Sequence, residues 1–164
     1  MAESPPTRGS GPVNLELVGR TRRLLASGSN PQTTAIFTSV DPEGWPHAAW
    51  MGSTVSADMR RIYSLTSPDS RKVRNIRDNG RGEWMWVDAS RETVLYLRGT
   101  TSLIEDAAEL KRIWALFPDK SRSYFLSYFN TTPGYAVIST EIEEIECLMP
   151  RENQRARFTP EQIL

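Results

Sequence analysis

The chain has 164 residues, enough for one domain whose core can form without disulfides. Twenty Lys and Arg balance twenty Asp and Glu, which leaves no bulk electrostatic case for nucleic acid or a membrane surface. One cysteine, Cys147, and one histidine, His47, exclude an intramolecular disulfide, a cysteine zinc framework and a multi-histidine metal centre. Chemistry in such a chain calls for a borrowed cofactor.

Residues 1–13 are rich in Pro, Gly and Ser and read as a disordered lead-in. Asn14 can cap a helix over 15–27, with Glu16 in its first turn and Gly28 ending it. Leu17, Val18, Leu24 and Leu25 fall toward one side of that helix, and Arg20, Arg22 and Arg23 largely elsewhere. The period then changes. The β-branched run 33–40, the turn Asp41-Pro42-Glu43-Gly44 and the extended run 45–55 predict a hairpin. A third strand is expected over 61–67, and a helix over 69–78 that Asn79-Gly80 stops.

Strands four and five are expected at 81–88 and 93–105, followed by helices at 106–117 and 121–129. The first of that helical pair carries Leu110, Ile113, Trp114 and Phe117 at three- and four-residue spacing, the second Tyr124, Phe125, Tyr128 and Phe129. Residues 134–148 return to strand, and 150–164 read as a loose polar tail. The domain is therefore expected over 14–149. Strands that meander without regular β-α-β alternation argue against a doubly wound nucleotide fold. The expected class is mainly β with flanking helices, six strands in a small barrel or sandwich. No apolar run approaches a membrane span and the first residues lack a signal peptide's apolar stretch, so a soluble, cytoplasmic protein is expected.

The stretch from Arg61 to Trp86 is the most informative. Thr66, Ser67, Ser70, Arg71 and Lys72 cluster where a strand gives way to a helix. Hydroxyls, two cations and the unpaired N–H groups of a helix start can together hold a phosphate dianion. Helix capping and a solvated first turn explain the same residues without a ligand. Trp84 and Trp86 share one face of their strand, which suits a core or an interface, with one of them available as a cofactor wall. His47 reads as a structural or interface residue before a general base, and Cys147 as a small buried hydrophobe.

Gly44, Pro46 and His47, then Ile62, Tyr63, Thr66 and Ser67, then Ser70, Arg71, Lys72, Asn75 and Ile76, then Trp84 and Trp86, follow one another in a telling order. That series resembles the pyridoxamine 5′-phosphate oxidase-like, flavin-binding split-barrel superfamily, its general stress protein 26-like members included. The resemblance implies a split β-barrel, a homodimer, and FMN held in two symmetric clefts at the subunit interface. It implies that Thr66, Ser67, Ser70, Arg71 and Lys72 surround the FMN phosphate and ribityl chain. Ala49, Trp50, Met51 and Gly52 would run past the isoalloxazine ring and offer mainly backbone groups, with Trp84 as a possible wall. Stress-protein-like members often carry an arginine between the His and Met of this strand, where this chain has Ala48, Ala49 and Trp50.

The first functional expectation is an FMN-dependent oxidoreductase acting on an unidentified small molecule. The second keeps the barrel and takes the deazaflavin F420, whose anionic tail would meet Arg20, Arg22 and Arg23. The third is a non-catalytic dimeric module that holds flavin or haem, with His47 as the available imidazole and Tyr124, Phe125, Tyr128 and Phe129 at an interface.

Overall fold

The computed structural model describes residues 14–28, 34–128 and 134–164; the predicted lead-in 1–13 and Phe129 lie outside them. In chain order the elements are α1 (Leu15–Ser27), β1 (Thr34–Val40), β2 (Pro46–Trp50), β3 (Thr54–Val55) and β4 (Arg61–Thr66). Then come α2 (Arg71–Asp78), β5 (Arg81–Val87), β6 (Val94–Leu103), α3 (Ala107–Leu116) and α4 (Asp119–Tyr128). β7 (Ala136–Met149), β8 (Gln154–Phe158) and α5 (Pro160–Ile163) close the chain. Local signals explain many of these bounds. Asn14 Oδ1 accepts the N–H groups of Glu16 and Leu17 at 3.1 and 3.2 Å, and Gly44 takes φ 89° in the β1–β2 turn.

All strand pairs are antiparallel, in the order β2-β1-β5-β6-β7-β4-β3. β2 and β3 stand at opposite ends of that order, yet only residues 51–53 separate them in sequence. The sheet must therefore curl until its two edges approach, which makes it a split barrel. For the same reason the single strand expected over 45–55 is broken. The chain passes from one edge to the other through Met51, Gly52 and Ser53 and cannot stay paired to one neighbour.

β7 runs along β6 on one side and divides its other side between β4 and β8. The ladder between β6 and β7 shifts register at Arg98/Gly99, where a Cβ on Gly99 would lie 1.8 Å from the Glu141 carbonyl oxygen. Only glycine fits so close an approach.

The barrel interior holds Phe37, Trp84, Trp86, Leu95, Leu97 and Ile145, all fully buried, and α1 adds Leu17 and Leu25. Trp84 donates its indole N–H to Thr140 Oγ1 at 2.9 Å, and Thr140 meets Thr101 Oγ1 at 2.8 Å. A second cluster joins Tyr63 and Leu65 of β4 and Val137 of β7 to Ile113, Phe117 and Phe125. β4 is thus covered on both faces, by the barrel interior and by α3 and α4, and all its residues after Arg61 are buried.

Two expectations are corrected. Among the described residues there are eight strands, not six, and residues 150–164 are not a loose tail. In β8, Ala156 packs against the core and Phe158 is buried within it, while Arg155 and Arg157 face outward. Those arginines made the segment read as solvated. Their Nε atoms lie 3.1 and 3.5 Å from Glu146 Oε1, ion pairs whose geometry falls short of hydrogen bonds. Thr159 and Gln162 form a capping box on α5, and Ile163 is fully buried.

Candidate functional site

Where β4 ends, Ser67-Pro68-Asp69-Ser70 turns the chain into α2, and the Ser70 N–H donates to the Ser67 carbonyl at 3.1 Å. This turn brings three of the predicted residues together. Thr66 Oγ1 lies 3.1 Å from Ser70 Oγ, and Lys72 Nζ donates to Thr66 Oγ1 at 3.3 Å. Ser70 stands at the N-cap of α2, but its hydroxyl makes no cap bond there. The first N–H groups of α2 therefore gain no acceptor from the Ser70 side chain, although the Val73 N–H donates to the Ser70 carbonyl at 3.1 Å, and the positive end of the helix begins at this turn.

Lys72 is half-buried, and burial pushes its ammonium below the ordinary lysine value. Among the described residues neither Lys72 nor Arg71 forms an ion pair with a carboxylate. A partly enclosed ammonium with only a hydroxyl for company is electrostatically incomplete, and an anion would complete it. Arg71 is exposed beside it. Ser67 is buried but turned aside, its hydroxyl donating to Asp69 Oδ1 at 2.6 Å.

α2 is locked onto the sheet by Asn75, whose Nδ2 donates to Ser39 Oγ at 3.0 Å in a buried contact. Ser39 is the cross-strand partner of His47. Burial lowers the His47 pKa, the charges of Arg71 and Lys72 lower it further, and Asp41 opposes them. His47 therefore belongs to the electrostatic neighbourhood of the Thr66, Ser70 and Lys72 cluster, which sequence reasoning missed. Its period-2 alignment with Ala49 was readable. The docking of α2 beside β1 was not, because it depends on the long-range Asn75–Ser39 contact.

The β2 residues divide. Ala49 packs against the core and Met51 is buried in it, its N–H donating to the Ala35 carbonyl at 3.0 Å. Gly52 is exposed, and its carbonyl accepts the Ser64 hydroxyl. Trp50 is 77% exposed and points away from the core. Trp84 is corrected as a cofactor wall: it is fully buried with its N–H bonded to Thr140, so it has no surface to offer a ligand.

On the outer face, cross-strand partners align Trp50 with Ile36, Ile36 with Met85, and Met85 with Tyr96. Ile36, Ala48, Ala49 and Trp50 line a shallow, open depression of about 340 Å³. Two of the three arginines of α1 are engaged elsewhere. Arg20 pairs with Glu16, Glu92 and Glu152, and Arg22 donates to the carbonyls of Ile163 and Leu164. No group of three or more His, Cys, Asp or Glu residues suited to a metal occurs among the described residues. Among them, no helix is long and apolar enough to cross a membrane.

The family profile described as pyridoxamine 5′-phosphate oxidase matches residues 25–148. No curated protein matches the sequence. Among solved structures, the chain is similar to a Clostridium acetobutylicum protein related to general stress protein 26, of the pyridoxinephosphate oxidase family. The TM-score is 0.72 at 16% identity, covering 93% of this chain and 100% of that one. General stress protein 26 from Bacillus anthracis gives a TM-score of 0.61 at 19% identity, with 85% and 99% covered. A heme binding protein from Mycobacterium smegmatis gives 0.69 at 16% identity, with 94% of this chain and 61% of that one covered. These likenesses carry the fold, and the profile match spans most of the barrel, α1's last turn and β7 included. The chain belongs to the pyridoxamine 5′-phosphate oxidase family.

Proposed function

We propose that this protein binds FMN through the cradle at the start of α2 and acts as a flavin-dependent oxidoreductase on a small molecule. The observation that carries the reading is Lys72, a half-buried ammonium bonded to Thr66, which in turn meets Ser70, and lacking a carboxylate among the described residues. Thr66, Ser70, Lys72 and the uncapped N–H groups of α2 would hold the phosphate, with Arg71 supplying charge at its exposed side. Ala49 to Gly52 lie on the edge strand and its exit, where backbone groups would flank the ring. When bound, FMN supplies hydride or electron transfer, so the chain needs no nucleophile of its own.

The outward row Trp50, Ile36, Met85 and Tyr96 supports a homodimer through this face of the sheet. An indole exposed to this degree beside aliphatic neighbours is unusual for surface facing only water. Trp50 adjoins Ala49 and Met51, so a partner on this face would also stand beside the ring end of the proposed cleft. F420 is less well served than FMN, because two of the three arginines expected for it, Arg20 and Arg22, already hold carboxylates and backbone carbonyls of their own chain, which leaves Arg23. A second reading, a non-catalytic haem module, is favoured by the likeness to the M. smegmatis heme binding protein and by one half-exposed imidazole, His47.

The test is uptake of FMN, F420 and haem by the purified protein, read by visible absorption, followed by addition of a reduced nicotinamide to the loaded protein. FMN uptake exceeding riboflavin uptake, followed by bleaching of the flavin, is the expected result. Haem uptake without flavin binding would replace this reading with the module, and FMN uptake without reduction would leave a binding protein.

A further inference from the structure

His47 sits at the crossing of two contacts. Across the β1–β2 ladder it faces Ser39, and Ser39 accepts a hydrogen bond from Asn75 of α2 at 3.0 Å. Arg71 and Lys72, one turn before Asn75 on α2, both act on the imidazole, and so does Asp41 in the β1–β2 turn. Two positive charges and one negative charge thus act on the ring, while the Ser39–Asn75 contact fixes α2 against the β1–β2 ladder that carries it. We propose that His47 is a further ligand of the phosphate cradle, taking up a proton from solvent as a phosphate dianion enters; this rests on the anion reading of the same site.

The physical argument is one of field. Without an anion, Arg71 and Lys72 disfavour the imidazolium, as burial also does. A dianion between them reverses the local sign, so the imidazolium becomes the favoured form and can donate to a phosphate oxygen. Binding and protonation are then linked: the anion raises the histidine's proton affinity, and protonation tightens the anion equally. The site would hold phosphate more firmly in mildly acidic than in alkaline solution.

The chain's only histidine makes the test direct, since its ring resonances need no assignment. Its NMR titration is followed in the free protein, with saturating FMN, and with saturating riboflavin. The midpoint is expected below 6.5 in the free protein and to rise with FMN but not with riboflavin. Inorganic sulfate, a dianion throughout this range, is then used to displace FMN between about pH 8 and about pH 5.5. Sulfate affinity should rise about three- to tenfold toward the acid side, and His47→Asn should abolish that rise. If FMN is preferred over riboflavin but the midpoint stays put and His47→Asn keeps the wild-type sulfate profile, His47 lies outside the site and the inference fails while the anion reading stands. If FMN and riboflavin bind alike, the anion reading fails and the inference falls with it.

Discussion

Replacing Lys72 by methionine keeps most of the side-chain volume and removes only the charge and its donor. In the folded protein the ammonium is half-buried, bonded to Thr66 Oγ1 at 3.3 Å, and held below its ordinary value by burial. The unfolded chain keeps the ordinary value of 10.5, so between the two it binds more protons than the folded chain. Stability is therefore penalised at all pH values below the folded pKa, and the penalty fades as pH rises toward 10.5. At neutral pH, Lys72→Met should raise the Tm of the protein without ligand. Binding should move the opposite way. A hydrogen bond to a charged group contributes about 1.5–3 kcal/mol, so FMN affinity should fall about 10- to 150-fold. Flavin fluorescence titration gives the affinity, riboflavin serves as the phosphate-free control, and thermal unfolding gives the Tm. A variant that melts earlier than wild type and binds FMN unchanged would show Lys72 to be structural and sink the cradle.

Three other outcomes follow from particular contacts. Trp50→Glu places a charge in the outer apolar row, so a dimer by light scattering should become a monomer while the barrel's circular dichroism is unchanged; a dimer that survives would move the interface elsewhere. Gly99→Ala sets a methyl against the Glu141 carbonyl and should cost about 1–3 kcal/mol, a Tm lower by about 2–12 °C, and an unchanged Tm would mean that the bulge relaxes freely. Burial works to raise the Asp88 pKa, but the hydrogen bonds from Thr93, Ser90 and Glu92 and the charge of Arg20 together hold it below 3.8. Its stabilisation is present above 3.8 and is lost as pH falls through the folded value. Asp88→Ala should thus cost about 1–2 kcal/mol at neutral pH and nothing once the wild-type carboxylate is protonated, as urea unfolding at both pH values would show.

Much of this protein was legible in local signals. Asn14 and Gly28 bracket α1, Gly44 turns the first hairpin, and the shared face of Trp84 and Trp86 follows from period two. The order of motifs from Gly44 to Trp86 carried the family, and the strand-to-helix passage at Thr66–Lys72 brings Thr66, Ser70 and Lys72 within reach of one another. Those features depend on neighbours a few residues apart, which is the range over which backbone geometry and capping act.

Long-range pairing decided the rest. The split of 45–55 into β2 and β3 comes from the curl of the sheet, a property of the whole strand order. The arginines of β8 looked solvated until Glu146, on the neighbouring strand, received them. Trp50 and Met51 are adjacent in sequence, yet one is 77% exposed and the other 6%, because the strand's alternation is set against a core built from distant segments. His47 comes under the charges of Arg71 and Lys72 through the docking of α2 on the sheet, where Asn75 bonds Ser39. Composition and spacing thus determined the class of fold and which polar side chains gather at one loop. Which side chains face that loop was decided by packing, since burial and electric field are sums over residues that the chain brings together only when it folds.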